Sequence, residues 1–187
     1  MINKGSKVGN GFSFGFGHKV MSSLAGYLYR GGYLSEYVDV DTLTSLYNRN
    51  FFERWHHKIV SQAERAGVDL VVVSVDVNGL KKMNDSSGHA AGDKMIRSLA
   101  KLFLKTVRDS DLVIRMGGDE FLLILWNSQL EGAEKMVGRV LEKAKEKELS
   151  FSYGLALVEK GKGITEKIEE ADAKMYLMKK ALGMGRS

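Results

Sequence analysis

The chain has 187 residues, 44% of them apolar, and a formal net charge of +5, enough for one substantial core and too little for two ordinary domains. It holds no cysteine, which excludes disulfides, thiolate metal sites and cysteine nucleophiles, and no proline, so other residues must end every helix and turn. No apolar run reaches the roughly 20 residues that cross a bilayer and no signal peptide is evident, so the expectation is a cytoplasmic protein, or the cytoplasmic part of a larger membrane or sensor protein.

Charge is unevenly spread. Residues 1–38 carry Lys4, Lys7, Lys19 and Arg30 against Glu36, a balance of +3, which leaves 5 − 3 = +2 for the remaining 149 residues. A mildly basic body suits an anionic ligand such as a nucleotide. Residues 39–187 carry no aromatic-rich basic stripe, so nucleic acid is not expected as a partner.

Composition shifts near residue 39. Before it, Phe12, Phe14 and Phe16 alternate with Ser13 and Gly15, which reads as a short strand, and residues 21–29 read as a helical turn or two. The many glycines weaken both readings. Residues 1–38 read best as a linker or the end of an upstream module, ahead of a single domain over 39–187.

Asp41 or Thr42 is placed to cap a helix in which Phe52, Trp55 and Ile59 recur at spacings of three and four, closed by Gly67. Residues 70–75 are a continuous apolar, β-branched run, as expected of a strand covered on both faces. A turn-rich stretch from Asn84 to Gly88 precedes a helix with Met95, Leu99, Leu102 and Thr106 on one face. Residues 111–116 and 121–126 read as two strands of a hairpin about Gly117, Gly118, Asp119 and Glu120. Ala133, Val137, Val140 and Ala144 mark another helix, and residues 151–158 a fourth strand. Ile164, Ile168, Ala171, Met175, Met178 and Leu182 mark a final helix. The predicted order is β-α-β-β-α-β with flanking helices, an α/β (α+β) domain built on a mostly antiparallel sheet.

Three carboxylates stand out. Asp76 directly follows the apolar strand, which puts its side chain at the sheet's edge and out of the core. Asp119 and Glu120 lie at the hairpin tip. If the strands are neighbours, the three converge, and without a cation they would raise one another's pKa. A hard ion such as Mg²⁺ resolves this, because it takes one or two carboxylates plus substrate phosphates. Gly117 and Gly118 let a phosphate or a base approach the backbone closely. Together these features suggest phosphoryl or nucleotidyl transfer. Spacing alone fits an ordinary acidic turn facing solvent at least as well.

Gly117-Gly118-Asp119-Glu120-Phe121, preceded by Arg115-Met116, resembles the signature of the GGDEF family, the diguanylate cyclases. Four more segments resemble that family's pattern, in order. Asp41-Thr42-Leu43-Thr44-Ser45-Leu46-Tyr47-Asn48-Arg49 resembles its opening block. Asp76 to Asp85 resembles D-x-D-x-F-K-x-x-N-D, and Gly88-His89-Ala90-Ala91-Gly92-Asp93 resembles G-H-x-x-G-D. Ala171, Asp172, Tyr176 and Lys179 resemble the closing block.

The resemblance covers about residues 40 to 183. It implies a nucleotidyl-cyclase, polymerase-palm-like fold and a homodimeric enzyme that condenses two GTP into cyclic di-GMP and two pyrophosphates. It implies that Asp76 and Glu120 bind Mg²⁺ (or Mn²⁺ in its stead). Asp119 would be a further ligand or the group that helps deprotonate the attacking 3′-hydroxyl. Asn84 and Asp93 would read guanine, a base whose N1–H and 2-amino hydrogens a carboxylate can accept. Gly117 and Gly118 would pass the substrate, and Lys81 and Lys179 would contact its triphosphate. His89 would be structural, near the start of a helix. Arg108 and Asp111 resemble the R-x-x-D inhibitory site, at which cyclic di-GMP binds as product.

The chain departs from the pattern at several places. Ser45 replaces a glycine, Asn78 stands where a second aspartate is common, and Gly79-Leu80 stand where two bulky residues are usual. After Lys179 the glycine falls one place late, at Gly183, and Met184 follows where an arginine is usual. Weaker binding of the γ-phosphate is the expectation. The competing reading is a catalytically weak domain that senses cyclic di-GMP through Arg108 and Asp111. The intact Asp76, Asn84, Asp93, Asp119 and Glu120 argue against it.

Overall fold

A computed structural model describes residues 39–184; the readings made for residues 1–38 lie outside the described residues. Among the described residues, five strands and five helices follow one another in the order β1 (Tyr47–Asn48), α1 (Arg49–Ala66), β2 (Leu70–Val77), α2 (Leu80–Ser87), α3 (His89–Thr106), β3 (Leu112–Gly117), β4 (Glu120–Trp126), α4 (Leu130–Lys145), β5 (Phe151–Val158) and α5 (Ile164–Ala181). The strands form one sheet in the order β1-β3-β4-β2-β5. All neighbouring pairs are antiparallel except the short β1, which runs parallel to β3. The predicted α/β class and β-α-β-β-α-β order are what the chain adopts.

All eight residues of β2 are buried, because β2 lies between β4 and β5 and helices cover both faces. Successive strand side chains alternate between faces. Val71, Val73 and Leu123 therefore meet Leu99 and Phe103 of α3 and Val137 and Val140 of α4. Val72, Leu122 and Ile124 meet Phe52 and Ile59 of α1 and Ala171 of α5. Phe103 sits 5.6 Å from both Phe121 and Phe151 in tilted and edge-on geometry, which ties α3 to the middle of the sheet.

Two local readings need correction. Asn48, not Asp41 or Thr42, caps α1: its side chain accepts the Phe51 N–H at 3.1 Å. Asp41 instead closes a turn on Thr44, accepting the Thr44 backbone N–H at 2.9 Å and its hydroxyl at 2.6 Å. Ser45 follows at φ 60, the left-handed conformation in which a glycine would carry no penalty, so the serine there is strained. The turn-rich Asn84–Ser87 stretch is the second half of α2, which glycines bracket: Gly79 enters at φ 78 and Gly88 leaves at φ 81. Its turn-forming residues lie in the last turn of a short helix, where side chains that compete for backbone groups are well tolerated.

Candidate active site

The β2–β4 register puts Asp76 directly opposite Glu120, so both side chains leave the same face of the sheet. The Val77 N–H donates to the Asp119 carbonyl at 3.0 Å, which pins the hairpin tip against the end of β2. Gly117 (φ 151) and Gly118 (φ 44) make the turn, and the ladder slips between Arg115 and Gly117. This irregularity lets two residues without side chains sit at the tip.

Asp76 is not at the sheet's edge. It is 7% exposed, because β2 continues to Val77, which pairs with Phe151 of β5. A buried carboxylate needs a partner. Lys179 of α5 supplies one, its Nζ donating to Asp76 Oδ1 at 2.6 Å. Glu120 remains largely in solvent, with the Arg49 guanidinium 3.9 Å away. Among the described residues no three carboxylates or imidazoles gather closely enough to form a ready metal cage; the cation that faces Asp76 is the lysine.

In front of the pair opens a cleft of about 680 Å³ whose lining includes Gly79, Lys81, Lys82, Asp119, Lys179 and Met184. The volume is in the range of small-molecule sites, and the three lysines in its lining suit a polyphosphate. A second cavity, of about 130 Å³ beside Gly67 and Val158, is too small for a nucleotide. Asn84 packs against Gly92, the chain neighbour of Asp93. A Cβ at Gly92 would lie inside contact distance of Asn84 Oδ1 and 3.0 Å from the Leu80 side chain, so α2 and α3 meet there because this glycine has none. Asn84 Oδ1 is buried with no hydrogen-bond partner. Asp93 lies beyond the first turn of α3, half exposed, with Arg97 3.9 Å away. His89 is the first residue of α3.

Arg108 and Asp111 lie elsewhere, in the loop before β3, so five residues of β3, 112–116, separate Asp111 from Gly117, roughly 20 Å. Both Asp111 oxygens are engaged: Oδ2 accepts the Arg108 N–H at 2.8 Å and Oδ1 the Trp126 N–H at 3.0 Å. Burial pushes the Asp111 pKa up, and those backbone donors offset it in part. The Arg108 residue is exposed.

Residues 38–184 match the family model described as diguanylate cyclase, GGDEF domain. The chain belongs to the GGDEF family. Diguanylate cyclase DosC of Escherichia coli is 36% identical to it over 154 residues, 76% of this chain and 33% of DosC. Cyclic di-GMP phosphodiesterase PdeR of the same species is 32% identical over 151 residues, 76% of this chain and 22% of PdeR. This chain thus spans a third or less of these relatives' length. A microbial GGDEF domain, solved in a study of its interaction with cyclic di-GMP, superposes with a TM-score of 0.73 at 32% identity, covering 79% of this chain and 94% of that one.

Within this GGDEF domain, sequence reasoning missed how Arg115 and Asp41 work together. Arg115 Nη1 donates to both Asp41 oxygens at 3.1 Å, while Nη2 and Nε donate to the Gly118 carbonyl at 2.7 and 3.2 Å. One guanidinium thus fastens the opening block to the glycine turn, through the fork geometry that lysine lacks. Arg49 Nε adds a bond to the Met116 carbonyl at 2.9 Å. Both arginines sit inside the quoted motifs, and that position was the available signal.

Asn78 was also read only as a departure. It is buried, with its amide on Ser150 Oγ at 2.9 Å and its Oδ1 accepting the Ser152 hydroxyl at 3.0 Å. A neutral amide satisfies donor and acceptor alike there. An aspartate would add a second buried negative charge two residues from Asp76.

Burial alone would raise the Asp41 pKa, but the Thr44 and Arg115 bonds outweigh it and hold it below the ordinary 3.8. A carboxyl with a depressed folded-state pKa stabilises the fold above its unfolded value and loses that contribution as pH falls through the folded one. Asp41→Asn should therefore lower stability at neutral pH. The gap from the parent should stay constant down to about pH 3.8 and close below it. Urea denaturation across acid pH measures it; a gap that widened toward acid would contradict the assignment.

Proposed function

We propose that this GGDEF domain is an active diguanylate cyclase that condenses two GTP into cyclic di-GMP. The observation that carries the reading is the facing of Asp76 and Glu120 across β2 and β4, beside a side-chain-free turn and a lysine-lined cleft. The triphosphate lies in the cleft, with Lys81 and Lys179 on its oxygens and the backbone at Gly117 and Gly118 leaving it room. Asn84 and Asp93 receive the guanine.

The donor set fits Mg²⁺: two carboxylates on one face, oxygen ligands only, open to a polyphosphate. Asp76 and Glu120 would hold it, with Asp119 adjacent. Bound there, the ion neutralises phosphate charge and raises the electrophilicity of the α-phosphorus. Each 3′-hydroxyl, brought in by a second protomer, attacks the other nucleotide's α-phosphorus. A P–O bond forms, the α–β bridging bond breaks, pyrophosphate leaves with its electron pair, and Asp119 or water takes the proton. Ring closure from two identical halves asks for two-fold symmetry.

Incubation of the protein with GTP and Mg²⁺, with products identified by mass, tests the proposal. Cyclic di-GMP is the expected product, and its absence at high protein concentration would overturn the assignment. That negative outcome would favour the second reading, a domain that binds cyclic di-GMP and turns over poorly. One observation leans that way: Met184, standing where the family pattern has an arginine, lines the cleft.

Two expectations extend the proposal. Gly92→Ala should raise the KM for GTP by at least about tenfold while folding is retained, because the new methyl displaces Asn84; steady-state kinetics decide, and an unchanged KM would separate Asn84 from the base site. Arg108→Ala should abolish inhibition by added cyclic di-GMP and leave the initial rate within about twofold, since Arg108 can grip a phosphate and stack on guanine while Asp111 shapes the turn. Inhibition curves that coincide for parent and variant would count against the site.

A further inference from the structure

We infer that Lys179 is the exchangeable internal counter-ion of the cation site, so that divalent metal and nucleotide enter together. The inference rests on the reading of Asp76 as a metal ligand, but its test does not require turnover.

Asp76 and Lys179 have side chains only 10% and 19% exposed and meet at 2.6 Å, and Lys179 also lines the cleft. In a poorly screened place, an ammonium and a divalent ion cannot both sit against one carboxylate, because their mutual repulsion is as strong as the attraction each seeks. The metal must therefore evict the ammonium. An evicted ammonium left without an anion in a half-buried cleft is itself costly, so metal alone binds weakly.

The cleft offers one remedy. Lys179 projects from α5, whose backbone is held against β5 at Gly154, so the helix stays in place while the flexible four-carbon stem swings. A polyphosphate in the cleft lies within reach of that swing and gives the ammonium a new anion. Lys81 and Lys82 line the same cleft and are exposed; they attract phosphate but do not occupy the metal's place. Linkage then requires reciprocity: nucleotide tightens metal by the same factor by which metal tightens nucleotide. Lys179 neutralises Asp76 until phosphate draws it away, and Asp76 becomes a metal ligand only then.

The experiment is Mn²⁺ binding, read by the loss of the free-ion electron paramagnetic resonance signal, without nucleotide. The parent should bind weakly. Lys179→Gln, which keeps a hydrogen-bond donor near Asp76 without the charge, should bind Mn²⁺ at least about tenfold tighter, and Lys179→Gln/Asp76→Asn should lose that gain. A non-hydrolysable GTP analogue should tighten Mn²⁺ at least about tenfold in the parent and much less in Lys179→Gln. Thermal melts run alongside confirm folding, and in chelator Lys179→Gln should melt below the parent and recover with Mn²⁺. Equal or weaker Mn²⁺ binding by folded Lys179→Gln would overturn the inference. That result would leave the cyclase proposal standing if cyclic di-GMP still forms; absence of product with the Mn²⁺ pattern intact would do the reverse.

Discussion

Gly154→Ala is expected to destabilise the fold by about 3 kcal/mol, the upper end of the usual cost of overpacking. Gly154 lies in β5 on the face covered by α5. A Cβ there would fall inside contact distance of the Ala171 carbonyl, 2.6 Å from the Met175 backbone nitrogen and 2.8 Å from the Lys174 Cβ. Two of these neighbours are helix backbone, which cannot rotate away as a side-chain tip can. The helix must lift from the sheet and expose part of the contact that Ala171 and Ile164 make with Val72 and Ala156. For a body of this size the thermal midpoint should fall by roughly 10 °C. Calorimetry measures it, and an unchanged midpoint would show that α5 is not held as closely as described. Because Lys179 rides on the same helix, its pairing with Asp76 should loosen as well.

Glu120→Ala should leave the fold nearly untouched and reduce cyclic di-GMP formation at least about a thousandfold, which is about 4 kcal/mol of transition-state stabilisation. The contrast follows from placement. The Glu120 side chain is 55% exposed and its ion pair with Arg49 spans 3.9 Å, so its loss should shift stability by less than about 1 kcal/mol. Its value lies in facing Asp76 across the ladder, where developing phosphate charge would be neutralised. Product yield by mass, set beside a thermal melt, separates the two effects. A variant within tenfold of the parent rate would remove Glu120 from the machinery.

Much of this was readable in the residues. Residues 70–75 were read as a strand buried on both faces because nothing polar interrupts the β-branched run, and β2 is that strand. Phe151–Val158 and the hairpin about Gly117 were readable too, because strand-like apolar runs and a glycine turn are local signals. The quoted motifs named each candidate residue because chemistry demands side-chain types at spacings that a chain preserves.

Partnership was not readable. Asp41 has the local credentials of a helix cap, but α1 begins at Arg49 and Asn48 caps it, while Thr44 and Arg115, the latter 74 residues away, hold the Asp41 carboxylate. Asp76 looked like a residue leaving a sheet, and only the extension of the ladder to Val77 and Phe151 buries it and turns a presumed open carboxylate into half of an ion pair. Gly154 carries no local mark in the sequence, yet it is the seat of a helix. By itself the sequence determined the elements and the inventory of reactive groups, since both depend on neighbours within a few residues. Tertiary structure alone decided which carboxylate is buried, which cation answers it and which glycine cannot gain a methyl, since those depend on atoms that meet only when the sheet closes.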